Sequence, residues 1–107
     1  MGTRWIFDGH IAGIGTASGL RLVVGVWKSS PFGPFSDVML QEPSGHRLLL
    51  APGAEVADFI AGTYTFDEVR VVKVHATLAP GHLTVDAGPL AISARLGGRS
   101  LLGHALR

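Results

Sequence analysis

The sequence predicts an α+β fold that is mostly β, built as a small curved antiparallel sheet or partly closed barrel with one short helix. Three observations predict it. Short segments with the two-residue alternation of strands recur along the chain. Breaks drawn from 15 glycines and 6 prolines separate them, and glycine suits the bulges and corners of a curved sheet. One stretch alone, within residues 52–63, has helical spacing. The 107 residues fit a single β-rich domain spanning 1–107, large enough for one core.

Taken in order, Trp5 to Ile11 alternates, with Trp5, Phe7 and Ile11 on one side and Ile6, Asp8 and His10 on the other. The following AGIGTASG reads as a flexible connection. Leu20 to Trp27 is the strongest strand: Leu20, Leu22, Val24 and Val26 share one face, and Arg21, Val23, Gly25 and Trp27 the other. Both faces are largely apolar, which predicts a central strand or one covered on two sides. Val38–Glu42 and His46–Leu50 flank Pro43, Ser44 and Gly45, an antiparallel hairpin in which Gly45 supplies a positive φ.

Next, Val56, Phe59 and Ile60 fall on one helical face, with Glu55 near the positive amino end and Gly62 placed to end the turn. So short a helix needs docking to exist. Asp67 to His75 reads as one regular strand, with Glu68, Arg70, Val72 and Val74 facing one way and Val69, Val71, Lys73 and His75 the other. Breaks at Pro80 and Gly81 and at Gly88 and Pro89 set off two further alternating strands, His82–Asp86 and Leu90–Leu96. The terminal segment GGRSLLGHALR reads as a final strand or an apolar tail.

Composition narrows function by exclusion. Nine basic against eight acidic residues, a formal charge of +1, leave no electrostatic footprint for nucleic acid. Absence of cysteine removes disulfides, thiolate nucleophiles and cysteine metal sites. The amino end carries Asp8 and His10 where a secretory leader would be apolar. No apolar run approaches the 18 or so residues of a membrane-spanning helix, so the expected setting is cytoplasmic and away from membranes. Hydrophobic residues reach 47% while charged ones are only 16%, below the roughly 25% charged content usual in soluble domains. Part of that apolar surface is therefore expected to lie against a second copy, with a dimer the favoured homo-oligomer.

Motifs give chemistry sparingly. The segment GIGTASG, Gly13 to Gly19, has neither the spacing of a dinucleotide loop nor the lysine of a P-loop, and a strand follows it instead of a helix. No G-x-S-x-G elbow is present, no cofactor is called for, and His75, His82 and His104 lack a metal-ligand spacing. Lys73 has no neighbours that mark a Schiff-base lysine. Asp8 and His10, at i and i+2, share a strand face and form the candidate acid-base pair of an enzyme reading. Asp37, Asp67, Glu68 and Asp86 are further carboxylates open to such a role.

Ser29 to Asp37, SSPFGPFSD, sets two phenylalanines in a double turn. Pro31 suits the second position of a turn that ends at Gly33, and Pro34 suits the start of a second reversal near Asp37. Phe32 and Phe35 then project from a rigid backbone toward a core, a subunit or a ligand. The Pro31-x-x-Pro34 spacing is too short a match to mark an SH3 ligand. The leading expectation is a small non-catalytic dimerising module that holds an apolar or weakly acidic small molecule between sheet and helix. Trp27, Phe32, Phe35, Phe59 and Tyr64 are its candidate wall and Arg70 its polar anchor. An enzyme acting through Asp8 and His10, or a structural or regulatory interaction protein without a pocket, are the alternatives.

Overall fold

The computed structural model describes residues 7–88 and 90–95, and the backbone of 101–103. Its elements run β1 (Asp8–Gly15), β2 (Arg21–Ser29), β3 (Phe35–Gln41), β4 (Arg47–Ala51), α1 (Ala54–Thr63), β5 (Glu68–Val71), β6 (Val74–Ala79), β7 (His82–Ala87), β8 (Leu90–Arg95) and β9 (Leu101–Gly103). A six-stranded sheet has the order β5-β4-β3-β2-β1-β9, and a three-stranded sheet the order β6-β7-β8. Neither sheet closes, so the curved-sheet expectation holds and the barrel does not form. Among the described residues the fold is α+β and mostly β, with one short helix.

Three layers result, and the strand alternation creates them. On one face of the large sheet, Leu22, Val24, Val38, Leu40 and Leu50 pack against Leu83, Val85 and Ala87 of the small one. On the other face, Leu49 and Ala51 meet Val56, Ala57 and Ile60 of α1. The strand β2 pairs with both β1 and β3 and so lies inside the sheet. Its two faces are apolar because Leu22 and Val24 pack on the small sheet while Trp27 packs on Phe7 and Phe35 on the other side. Val24, Val38 and Leu49 are fully buried, and complete burial of such a side chain stabilises by about 1.5–3 kcal/mol.

Local chemistry sets the connections. Gly45 takes a φ of 95° in the turn between β3 and β4, where its N–H donates to Glu42 O at 2.8 Å. The helix starts at Gly53 without a side-chain cap and continues one residue past Gly62. Its stability comes from docking through Val56, Ala57 and Ile60 rather than from its ends.

Four expectations are corrected. The segment AGIGTASG is not all connection, because Ala12 to Gly15 continue β1 in register with Arg21 to Val24. Glycines carry no side chain to register on either face, so alternation there is invisible in the sequence. Residues 67–75 are not one strand but β5 and β6, which belong to different sheets. The break falls where Val72 donates its N–H to Ala51 O at 2.9 Å. Third, β5 runs parallel to β4, because α1 crosses over and returns the chain to the same end of the sheet. Fourth, the second reversal after Pro34 is absent, since β3 begins at Phe35. The expectations for Trp5, Ile6, Pro89, Leu96 and His104 lie outside the described residues. Among the described residues no helix is long and apolar enough to cross a membrane.

Candidate functional site

The helix-facing side of β2 and β3 carries a different chemistry from the rest of the core. Register pairs Trp27 with Phe35 and Gly25 with Asp37, so these four positions form one patch under α1. Three further aromatics close over it. Phe7, just ahead of β1, is only 2% exposed and lies 5.7 Å from Trp27, 6.2 Å from Phe35, 6.3 Å from Phe32 and 5.3 Å from Phe59 between ring centroids. Phe32 meets Phe35 at 6.5 Å and Phe59 at 5.5 Å, both edge-on. Such pairs add about 0.5–1.5 kcal/mol each beyond area burial.

The turn that supplies Phe32 forms as its residues require. Gly33 N–H donates to Ser30 O at 3.0 Å, with Gly33 at φ 83°, a conformation cheap for glycine alone. Ser30 Oγ accepts from the Phe32 N–H at 3.0 Å and donates to Gly33 O at 2.6 Å. These bonds fix the Phe32 backbone and aim its ring at Phe7 and Phe59.

Beneath the rings sits a carboxylate. Asp37 is 2% exposed, and its Oδ1 accepts from Trp27 Nε1–H at 3.1 Å. Burial pushes its pKa up to about 6, against the opposing pull of the Trp27 bond and of its own backbone N–H. Gly25 makes the pair possible. A Cβ at Gly25 would stand 2.5 Å from Asp37 Oδ1 and 2.5 Å from Trp27 Nε1, closer than any side chain tolerates.

Beside this cluster an open groove of about 510 Å³ runs along the start of α1. Phe32, Pro34, Phe35, Pro52, Val56 and Val74 supply its apolar lining, and Ser36 and Glu55 its polar side chains. That volume lies within the range of small-molecule sites. Phe32 and Phe35 thus belong both to the core edge and to the groove wall.

The sequence-predicted wall is divided by the structure. Trp27, Phe32, Phe35 and Phe59 come together; Phe32 and Phe35 line the groove, while Trp27 and Phe59 stand behind them. Tyr64 follows the end of α1 and is 46% exposed. Arg70 lies on β5, where its guanidinium bonds Glu68, and it does not line the groove. Asp8 is exposed, and His10, half-buried, has a buried Nδ1 with no hydrogen-bond partner. Asp8 therefore does not orient the imidazole through that nitrogen.

Two residues at the centre of the site, Phe7 and Asp37, were harder to read. Phe7 alternates with Trp5 and Ile11 like any strand residue, and nothing local marks it as a hub. Asp37 stands next to a turn, where aspartate is ordinary. Its one distinguishing signal is its place in the pairing of β2 with β3, opposite a glycine. Among the described residues no three histidines or carboxylates converge as a metal site would require. No protein-family model, no curated protein and no solved structure matches the chain significantly.

Proposed function

We propose that this chain is a non-catalytic binding module that takes a small apolar molecule in the groove at the start of α1 and works as a homodimer. The observation that carries the reading is the groove itself: a concavity of about 510 Å³ walled by two phenylalanines that the Ser30 turn and the Phe7 cluster hold in place. Rigid aromatic walls bind with little loss of side-chain entropy. A weakly acidic ligand depended on Arg70 as its anchor. Since Arg70 bonds Glu68 instead, and Glu55 is the one ionisable side chain among the groove residues, a neutral apolar ligand is the form favoured.

Native mass spectrometry of gently purified protein tests both halves. The expected spectrum shows twice the 11.2 kDa chain mass with an additional retained small molecule. A bare monomer at every concentration would overturn both. Replacing Phe35 with alanine is expected to reduce ligand retention while preserving the strand signal in circular dichroism.

A further inference from the structure

We propose that β5 is a self-pairing edge, through which two copies of this chain join by antiparallel β5 to β5 contact about a two-fold axis at Val69. The inference rests on the homodimer proposed above and assigns it a surface and a register. The occupant is a second copy because the edge is complementary to itself.

Three observations carry this. First, β5 ends the six-stranded sheet and so presents unpaired backbone groups, the usual template for another strand. Val72 donates its N–H to Ala51 O at 2.9 Å. Since backbone direction alternates along a strand, Arg70 faces β4, while Val69 and Val71 turn their N–H and C=O groups outward.

Second, the large apolar side chains left exposed among the described residues all lie on the segment from the end of α1 through β5: Tyr64, Val69 at 42% and Val71 at 54%. A β-branched residue on an open edge is a poor defence against pairing, and most of the other apolar side chains in the fold are buried or packed against the core.

Third, charge selects one register. Two-fold antiparallel pairing must bring outward-facing residues opposite each other, which leaves few choices for a strand of four residues. An axis at residue 68 sets Glu68 against Glu68, an axis at residue 70 sets Arg70 against Arg70, and an axis at Val71 overlaps the two strands at that one residue. An axis at Val69 sets Glu68 of each copy opposite Arg70 of the other, twice, at the close non-hydrogen-bonded positions where cross-strand pairs interact most strongly. Within one chain Glu68 already accepts from Arg70 and lies 3.2 Å from His46 Nε2. Pairing lets each carboxylate share the guanidinium of its own chain with that of the second copy. The Val69 side chains then meet on the helix side of a continuous sheet.

Charge swapping tests the register. In sedimentation velocity the unmodified protein is expected at twice the chain mass. Glu68→Arg and Arg70→Glu are each expected to weaken self-association by at least about tenfold, through two like-charge pairs per axis. An equimolar mixture of the two is expected to form a heterodimer, because every cross-axis pair is then opposite in sign. The double variant E68R/R70E keeps the intrachain pair, so it is expected to fold and to dimerise with itself, yet not to exchange subunits with the unmodified chain. A protein that is monomeric throughout would overturn the dimer altogether. A dimer that both single variants leave intact would overturn the β5 surface alone. Failure of the mixture to associate, or free exchange of the double variant, would overturn the Val69 register.

Discussion

Where the six-stranded sheet meets β6–β8, its contact residues are aliphatic, with Val24 and Val38 fully buried against Leu83 and Val85. Where the same strands meet α1, they present Trp27, Phe35 and Asp37, a buried acid and an open groove. The pairs that alternate along β2 and β3 thus feed two cores of opposite character. An aliphatic interlayer contributes stability and tolerates no polar atom; the aromatic layer accepts a carboxylate whose burial costs stability. The groove lies beside that layer, with Phe32 and Phe35 shared between them.

Damage to the aliphatic side carries the largest expected effect. Leu83→Ala is expected to destabilise by about 2–5 kcal/mol, read by urea denaturation, while the near-ultraviolet signal of the aromatic cluster persists up to the transition. Loss of that signal in the native state would show that the two cores are one.

Asp37 governs the response of the aromatic side to pH. Its pKa is raised when folded, so the folded chain holds the proton through a range in which the unfolded chain has released it. Stability is therefore expected to fall as pH rises from near the ordinary value of 3.8 to about 6, by about 3 kcal/mol in all, and then to level. Glu68 acts in the opposite sense, because its bonds to Arg70 and then His46 lower its pKa below 4.5. Its contribution is lost only as pH falls below that value. Between pH 4.5 and about 6 the slope therefore belongs to Asp37, and urea midpoints across that window check it. Asp37→Asn keeps an acceptor for Trp27 Nε1–H and is expected to remove the slope and stabilise the protein at pH 8 by up to about 3 kcal/mol.

Gly25→Ala is the smaller perturbation of the same pair. Its Cβ would press on both Asp37 Oδ1 and Trp27 Nε1, with an expected loss of about 1–3 kcal/mol and a shift in tryptophan emission. Smallest of all, Arg70→Ala removes an exposed ion pair within the chain and is expected to leave the melting temperature unchanged at concentrations too low for self-association.

Much of this was legible in the sequence, for reasons of period. The alternation of Leu20 to Trp27, the hairpin around Gly45 and the helical spacing of Val56 and Ile60 all depend on side chains that repeat in step with their element. The parallel β5 was not legible, because a run such as Glu68 to His75 records which residues are apolar but not where the chain changes layer. Gly13 and Gly15 hid the second half of β1 by having no side chains to alternate. At the site, Phe32 and Phe35 announced themselves through their turn. Asp37 did not, since its burial is set by the pairing with Gly25 across the sheet, a relation between distant positions.

The groove is tested most directly by titrating isotopically labelled protein with N-phenyl-1-naphthylamine, a neutral apolar probe, and mapping the amide shifts. Saturable changes confined to Phe32, Phe35, Ser36, Glu55 and Val56 are the expected result. Shifts that never saturate, or that centre on Val69 and Val71 instead, would contradict a ligand site at the start of α1.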